Sequence, residues 1–249
     1  MSTEATFRIW RGDSSGGDFQ EFKAKVEEGM VVLDVVHLIQ AEQANDLAVR
    51  WNCKAGKCGS CSAEINGHPR LMCMTRMDTL PLDEPISLEP MHTFPRIKDL
   101  VTNVKWNFDN KKKIPQFRPR KPDALDGTWR IMQEDIERVQ EFRKCIECFL
   151  CQDVCHVLRS HELKHRFAGP RFLVRIAGLE MHPIDGEDRL RSVKDESGIG
   201  LCNITKCCTE VCPEHIHITD NAIIPLKERV VDRFYDPLAM LWRAATGGK

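Results

Sequence analysis

The sequence predicts an α+β chain of two domains, a small mixed domain at residues 1–104 and a mostly α-helical domain at residues 105–249. Three observations predict this division. Apolar and polar residues alternate in the first block, whereas apolar residues recur every three or four positions in the second. A basic connector at residues 105–121 separates them, with 7 Lys and Arg against 1 acidic residue. The residues before it hold 11 Lys and Arg against 15 acidic residues, and those after it hold 18 against 21. Because both blocks are slightly acidic, nucleic acid is not an expected partner.

The first block has the pattern of strands around one helix. Residues 7–10 and 22–26 alternate on either side of a turn-rich segment, which predicts a hairpin. Apolar residues at near-helical spacing predict a helix within residues 32–45. The Asn-Gly pair at 66–67 predicts a second hairpin, and residues 86–89 a last short strand. This arrangement is typical of the β-grasp fold.

Four cysteines of the first block have the plant-type spacing for a [2Fe-2S] cluster. The motif is C-x4-C-x2-C, and a further cysteine follows across the Asn-Gly hairpin. Four thiolates must converge on two irons, so the chain has to wrap the cluster, and Gly56 and Gly59 allow it to curl closely. A structural zinc site is the alternative, but it usually pairs two C-x2-4-C knuckles. The predicted ligands are Cys53, Cys58, Cys61 and Cys73.

The second block has mainly helical periodicity. Apolar residues at three- and four-residue steps predict a helix from Trp129 to Ile146, and further helices are expected at 172–179 and 226–235. Pro225 is placed to start the last helix and Pro237 to end it. Only residues 215–218 alternate as a strand would, so this block is expected to resemble a bacterial ferredoxin with added helices.

The cysteines of the second block form two runs of the bacterial ferredoxin kind. The first run is C-x2-C-x2-C-x3-C, in which three thiolates hold one cluster and the fourth reaches the other cluster. Such a run requires a second one, and a later run closes with a Cys-Pro pair that supplies the crossing ligand. The predicted [4Fe-4S] ligands are Cys145, Cys148, Cys151 and Cys212.

The later run lacks one of the sulfurs that its spacing requires. The ferredoxin spacing places a ligand at position 205, which is Thr205 in this chain. Three thiolates without a fourth favour a [3Fe-4S] cluster, held by Cys155, Cys202 and Cys208. Cys207 is a candidate fourth ligand. Because it adjoins Cys208 and neighbouring side chains point apart on a helix or turn, we expect a buried residue that does not bind the cluster.

The order of these motifs resembles that of the iron-sulfur subunits of succinate dehydrogenase and fumarate reductase. The resemblance covers nearly the whole chain. Several short stretches resemble the sequences of this family and occur in the same order: Trp51-Asn52-Cys53, Cys58-Gly59-Ser60-Cys61, Ile65-Asn66-Gly67, Leu88-Glu89-Pro90-Met91 and Phe94-Pro95.

The resemblance implies an electron relay. A flavoprotein subunit that carries FAD would oxidise succinate, and electrons would pass through [2Fe-2S], [4Fe-4S] and [3Fe-4S] toward quinone at a membrane-anchor subunit, on which haem is an option. The chain would be the oxidoreductase subunit with no substrate-site chemistry of its own, in the tricarboxylic acid cycle and the respiratory chain. The corresponding subunit of a fumarate reductase, or of another flavin-linked dehydrogenase, is the alternative, and a zinc-binding interaction module is a distant one.

One departure from the family concerns the residue after Cys155. Many members continue Cys-Pro-Ser, whereas this chain has Cys155-His156-Val157. His156 is either a contact to quinone or to the next electron acceptor, or a surface or interface histidine.

The sequence also carries expectations about location. The first eleven residues lack the basic start and apolar run of a signal peptide, and no apolar stretch reaches the roughly 18 residues of a membrane-spanning helix. We therefore expect a peripheral location at the cytoplasmic face of a bacterial plasma membrane, held there by partner subunits. In that reducing compartment the twelve cysteines are expected to bind metal rather than form disulfides.

Overall fold

The computed structural model describes residues 3–246, apart from the side chains of residues 239 and 243. The chain divides into two compact units. The first comprises Met1–Trp106, Ile146–Val154 and Val211–Glu214, and the second Asn107–Cys145, Cys155–Glu210 and His215–Lys249. The contiguous division at residues 104 and 105 thus differs from these units, because two short cysteine-containing segments leave the second block and pack in the first unit.

A mixed sheet forms the first unit. Its described strands and its helix are β1 (Thr3–Asp13), β2 (Gly16–Val26), α1 (Val32–Glu42), β3 (Ser62–Ile65), β4 (His68–Leu71), β5 (Ile86–Glu89), β6 (Arg96–Lys98) and β7 (Val101–Thr102). The hydrogen-bonded order is β4-β3-β5-β1-β6-β7, and β2 also pairs with β1. The long β1 runs antiparallel to β2 and parallel to β5, with Phe7 opposite Phe22 on one side and Ile86 on the other.

The core of this unit lies between the sheet and α1. Side chains of β1 and β5 that face the helix, such as Phe7, Ile9 and Ile86, are fully buried, and so are Val35 and Ile39 of α1. The alternation of the strands and the apolar stripe of the helix, both read in the sequence, therefore meet at one interface. The predicted hairpins, helix and strand at residues 86–89 are confirmed.

Helices dominate the second half of the chain. Those described are α2 (Lys105–Lys113), α3 (Gln133–Gln140), α4 (Leu150–Asp153), α5 (His156–Arg159), α6 (Pro170–Glu180), α7 (Leu190–Asp195), α8 (Cys207–Glu210), α9 (Ile224–Phe234) and α10 (Pro237–Thr246), with a π-helix at Ile218–Ile223. The expected α+β class, with a sheet-containing domain before a helical one, is confirmed. Among residues 3–246, none of the helices combines the length and the apolar character needed to cross a membrane.

One strand predicted for the helical half is absent. Residues 215–218 do not form a strand, because His215 has a left-handed backbone (φ 53°) and Ile218 begins the π-helix. The basic connector begins with a helix, α2, whose last turn holds three lysines near its carbonyl end, where positive charge is favourable. Pro237 follows the end of α9 but also opens α10, which the sequence analysis missed.

The helix expected from residue 129 begins only at Gln133. The preceding residues form a loop that Asp123 holds together. Its carboxylate binds the Arg120 guanidinium and accepts the backbone N–H of Arg130 at 2.8 Å, while the Trp129 ring nitrogen donates to the Arg120 carbonyl at 3.0 Å. These loop contacts replace the helical turn that the apolar spacing predicted.

A buried carboxylate joins three parts of the first unit. Asp99 is 1% exposed and accepts hydrogen bonds from Arg11 Nε at 3.1 Å, from the Gly12 N–H at 3.0 Å and from the Ala48 N–H at 2.8 Å. It therefore ties the end of β1 and the segment after α1 to the turn between β6 and β7. Asp99 also has φ 47°, a left-handed conformation that Asp and Asn tolerate better than most residues.

Replacing Asp99 is expected to destabilise the first unit. Asp99→Ala leaves the buried N–H groups of Gly12 and Ala48 unpaired and should reduce the free energy of unfolding by about 3 kcal/mol. Asp99→Asn keeps an acceptor oxygen and the backbone preference, so its loss should be about half as large. Denaturant unfolding of the full chain, followed by circular dichroism, measures both; equal losses for the two variants would contradict this role.

Candidate metal centres

The four cysteines predicted to hold [2Fe-2S] all belong to the first unit. Cys53 is exposed and Cys58 half-buried on the loop between α1 and β3, whereas Cys61 and Cys73 are buried. The β3–β4 hairpin returns the chain so that Cys73 hydrogen-bonds with Cys61, and the Met72 N–H donates to the Cys61 carbonyl at 3.0 Å. The hairpin thus brings the distant fourth cysteine to the loop, as the spacing predicted.

Backbone N–H groups point at the sulfurs of this loop. The N–H groups of Ala55 and Lys57 both lie 3.3 Å from Cys53 Sγ, and Lys54 between them has φ 55°. Burial raises the pKa of Cys58, but hydrogen bonds with Ser60 and Cys53 outweigh it and lower this pKa to about 6. N–H groups around a sulfur stabilise its thiolate, which is the form that binds iron. The chemistry of this loop fits an iron-sulfur cluster.

The same loop touches the first ferredoxin run at Gly59. A Cβ atom at this position would lie 2.7 Å from Cys148 Cα and 2.8 Å from the Ile146 carbonyl oxygen, and Gly59 has φ 65°. No side chain fits there. The backbone of the predicted [2Fe-2S] loop therefore lies directly against the backbone around Cys148.

Further contacts hold the segment Ile146–Val154 in the first unit. The Ser62 hydroxyl donates to the Cys148 carbonyl at 2.9 Å. The buried Asp153 carboxylate accepts the Thr93 N–H at 2.9 Å, and the Thr93 hydroxyl donates to the Asp153 carbonyl at 3.0 Å. These polar groups are satisfied by one another, which explains how a short cysteine-containing segment is built into a sheet domain.

The backbone around Cys148 is strained. Glu147 has φ 57° and Phe149 has φ 63°, so two left-handed residues without glycine flank the cysteine. Such conformations cost of order 1–3 kcal/mol each and occur at ligand clamps, where successive N–H groups form an anion-binding nest. The sequence analysis missed this feature, because neither residue type signals a left-handed conformation.

The four cysteines predicted to hold [4Fe-4S] are divided between the units. Cys148 and Cys151 are buried and Cys212 is half-buried in the first unit, while the half-buried Cys145 belongs to the second. The crossing cysteine of the later run thus lies in the same unit as the middle cysteines of the first run, as the ferredoxin pattern requires of a crossing ligand.

The three cysteines predicted to hold [3Fe-4S] all lie in the second unit, where Cys155 and Cys208 are buried and Cys202 is half-buried. Burial, together with the charges of neighbouring cysteines, raises the pKa of Cys155 to about 11 and that of Cys208 to about 12. The thiols are therefore close enough to interact. Cys208 Sγ also lies 3.5 Å from the hydroxyl of Thr219, which is 1% exposed.

Cys207 does not have the expected position. It is half-buried rather than buried, and its charge acts on both Cys155 and Cys208. Its Sγ lies 3.3 Å from the hydroxyl oxygen of Thr205, the residue at the missing ligand position. Lys206, with φ 63°, turns the chain just before α8, which begins at Cys207. That Cys207 does not bind the cluster stays a prediction.

His156 follows Cys155 at the start of α5 and is half-buried. Its ring centre lies 6.1 Å from that of the exposed His161, in an edge-to-face arrangement. A role for His156 in contacting quinone or the next acceptor stays a prediction.

The thiols are available for metal. All twelve cysteines lie in the described part of the chain, and no disulfide joins any of them. A structural zinc site would bring four side chains to about 2.3 Å from one ion. Across residues 3–246, no three His, Cys, Asp or Glu side chains converge closely enough for a single ion.

Two family models match the chain in the order of the two halves. Residues 6–109 match a 2Fe-2S iron-sulfur cluster binding domain, and residues 141–216 match a 4Fe-4S dicluster domain. The succinate dehydrogenase iron-sulfur subunit of Bacillus subtilis is 30% identical over 239 residues, which cover 88% of this chain and 90% of that protein. The chain belongs to the family of succinate dehydrogenase and fumarate reductase iron-sulfur subunits. It is the electron-relay subunit of an oxidoreductase complex.

Other relatives include both enzymes of this family. The fumarate reductase iron-sulfur subunit of Mycobacterium tuberculosis is 30% identical over 210 residues, which cover 81% of this chain and 82% of that protein. A chain of the Mycobacterium smegmatis Sdh1 complex in the apo form is 61% identical, with a TM-score of 0.91, and the match covers 96% of this chain and all of that one.

The close approach at Gly59 predicts the effect of adding one methyl group. Gly59→Ala should displace the cluster loop from Cys148, lower the iron content of the purified chain and weaken its [2Fe-2S] signal in electron paramagnetic resonance (EPR). Gly67→Ala is the matched control, since Gly67 has φ 73° but nothing within 4 Å of its Cβ position. The left-handed backbone should reduce the free energy of unfolding by about 1 kcal/mol in both variants. Equal iron contents would contradict the steric argument.

The hydroxyl beside Cys208 is expected to set the potential of the third cluster. A hydrogen bond to a ligand sulfur stabilises the reduced cluster, so Thr219→Val should make the reduction potential more negative. Thr219→Ser keeps the hydroxyl and should keep the potential close to the wild-type value. Potentiometric titration of the third cluster's EPR signal measures this; an unchanged potential in Thr219→Val would remove Thr219 from the account.

Proposed function

We propose that this chain carries electrons from succinate toward quinone. In this proposal, an FAD-containing flavoprotein subunit oxidises succinate to fumarate and passes electrons to [2Fe-2S], which relays them through [4Fe-4S] and [3Fe-4S]. The observation that carries the proposal is the grouping of the predicted ligands: one set in a sheet domain, and a buried pair with Cys202 in the helical unit.

The proposed ligand sets follow the sequence motifs. The [2Fe-2S] set and Cys148, Cys151 and Cys212 of the [4Fe-4S] set share the first unit, and the interactions around Cys155 and Cys208 support the third set. In full the sets are Cys53, Cys58, Cys61 and Cys73 for [2Fe-2S]; Cys145, Cys148, Cys151 and Cys212 for [4Fe-4S]; and Cys155, Cys202 and Cys208 for [3Fe-4S].

The chain's own residues hold and tune the clusters, which supply one-electron chemistry when bound. Backbone N–H groups of Ala55 and Lys57 stabilise the Cys53 sulfur, and the Thr219 hydroxyl lies beside Cys208. The close backbone contact at Gly59 shortens the distance between the loop of the first cluster and Cys148. Burial of Cys151 and Cys155 keeps water from their sulfurs. No part of this function requires the chain to bind succinate.

The proposed complex includes a membrane-anchor subunit, with quinone near the third cluster. His156 is the candidate contact on this chain, because it adjoins Cys155 and is not fully buried. We place the complex at the cytoplasmic face of a bacterial plasma membrane, where partner subunits hold this chain as a peripheral component.

The direction of the reaction separates the two candidate functions. The identity to the Sdh1 chain, 61%, favours succinate oxidation, whereas the fumarate reductase subunit is as similar as the Bacillus succinate dehydrogenase subunit, at 30% each. The purified complex should be assayed with succinate and quinone and, separately, with reduced quinone and fumarate. Faster turnover with succinate supports the proposal, and faster turnover with fumarate favours the alternative.

A ligand variant tests the relay itself. Cys148→Ala should interrupt the relay at its middle cluster and lower succinate:quinone turnover on the order of 100-fold or more. Succinate oxidation by a small dye that takes electrons directly from flavin should continue in the same preparation. His68→Gln, an exposed substitution at the β3–β4 turn, is the control and should leave both rates unchanged. Quinone turnover that survives in Cys148→Ala would contradict the proposed path.

A further inference from the structure

The third cysteine site contains four thiols, not three. Cys155, Cys202 and Cys208 are the expected ligands, and the half-buried Cys207 adjoins Cys208 at the start of α8. The second block holds eight cysteines in all, which is the number that two [4Fe-4S] clusters need. Seven are used by a [4Fe-4S] and a [3Fe-4S] cluster, and Cys207 is the remaining one.

The position of Cys207 coincides with that of the missing ligand. Ferredoxin spacing assigns the fourth sulfur of this site to position 205, and the Thr205 hydroxyl oxygen lies 3.3 Å from Cys207 Sγ. The side chains of positions 205 and 207 therefore reach the same place. This convergence depends on the backbone, because Ile204 (φ 61°) and Lys206 (φ 63°) are both left-handed and curl the chain around Thr205.

This curl is costly and is held by specific contacts. A β-branched residue such as Ile204 rarely adopts a left-handed conformation, so surrounding structure has to compensate for it. Lys206 Nζ binds the Asp220 carboxylate at 2.7 Å, and Lys227 Nζ donates to the Cys202 carbonyl at 2.5 Å. Cys207 is also half-buried rather than sealed in the core, so an ion from solvent can reach its sulfur.

We propose that Cys207 is the ligand of a fourth iron at the third site, which makes this cluster convertible between [3Fe-4S] and [4Fe-4S]. The oxidised [3Fe-4S] core takes up one ferrous ion and one electron to give [4Fe-4S]. The Cys207 S–H bond breaks, its proton goes to solvent, and a bond forms between its sulfur and the added iron. The electron comes from the relay or from an added reductant. In the reverse step an oxidant such as dioxygen accepts one electron from the cluster, the ferrous ion leaves, and the Cys207 sulfur takes a proton from solvent.

The inference rests on the proposed function, since it assumes a [3Fe-4S] cluster on Cys155, Cys202 and Cys208. It goes beyond that function because it makes the state of the terminal cluster depend on ferrous iron and reducing conditions. With the fourth iron in place, the cluster has a different potential. The relay would then have an iron-dependent step at its last cluster.

The test uses the complex purified in air, which is then incubated without oxygen with dithionite and ⁵⁷Fe(II) and freed of unbound iron. Mössbauer spectroscopy and metal analysis measure the ⁵⁷Fe taken up per chain, and EPR measures the remaining [3Fe-4S] signal. The wild-type complex should take up one ⁵⁷Fe per chain and lose that signal. Cys207→Ser and Cys207→Ala should take up none and keep it.

A double variant provides the matched control. Thr205→Cys combined with Cys207→Ser puts a thiol at the position that ferredoxin spacing requires, so it should take up iron as the wild-type complex does. A wild-type complex purified with [4Fe-4S] already at this site would give the same assignment, provided that Cys207→Ser shows the [3Fe-4S] signal instead.

Two results would overturn the inference. One is iron uptake in Cys207→Ser equal to that of the wild-type complex. The other is no uptake by a wild-type complex that shows the [3Fe-4S] signal when purified. Failure of the proposed function is separate and visible, since a chain without the [2Fe-2S] and [4Fe-4S] signals is not the proposed relay.

Discussion

The contact between two stretches of backbone at Gly59 is the constraint on which the arrangement of the predicted ligand segments in the first unit depends. There is no space for a Cβ atom between this residue and Cys148, so the loop that carries Cys58 and Cys61 and the segment that carries Cys148 lie against each other without an intervening side chain. The Ser62 hydroxyl and the buried Thr93–Asp153 pair hold that segment in place. The four cysteines predicted to hold the first cluster and the segment with Cys148, predicted to hold the second, therefore lie in one compact unit.

Several predicted ligand cysteines lie beside strained backbone. Non-glycine residues with a left-handed backbone occur next to three cysteines: Lys54 follows Cys53, Glu147 and Phe149 flank Cys148, and Lys206 precedes Cys207. Around Lys54, the N–H groups of Ala55 and Lys57 both point at Cys53 Sγ, an arrangement of the kind that turns with left-handed residues allow. The surrounding sheet, helices and ion pairs compensate for this strain, so the fold can be understood as a rigid support for a few unfavourable turns.

Much of this arrangement could be predicted from the sequence, because periodicity and spacing report on regular elements and on ligand order. The β1–β2 hairpin, α1 and the Asn-Gly turn at residues 66–67 followed from patterns that local physics enforces. Features that depend on distant contacts did not. Asp123 and Arg120 hold a loop where a helical turn was predicted. The left-handed backbone of His215 prevents the strand that was predicted at residues 215–218. Cys207 is half-buried rather than buried, and the left-handed conformation of Lys206 beside it carries no sequence signal.

The central claim is that one chain carries three clusters in a series that succinate can reduce. Low-temperature EPR of the intact complex, titrated with succinate and then with dithionite, tests it most directly. The account predicts three distinct iron-sulfur signals, with the [3Fe-4S] signal of the oxidised complex lost as electrons from succinate arrive. A complex that contains stoichiometric zinc in this chain, or whose third signal is unaffected by succinate while the flavin is reduced, would contradict the account.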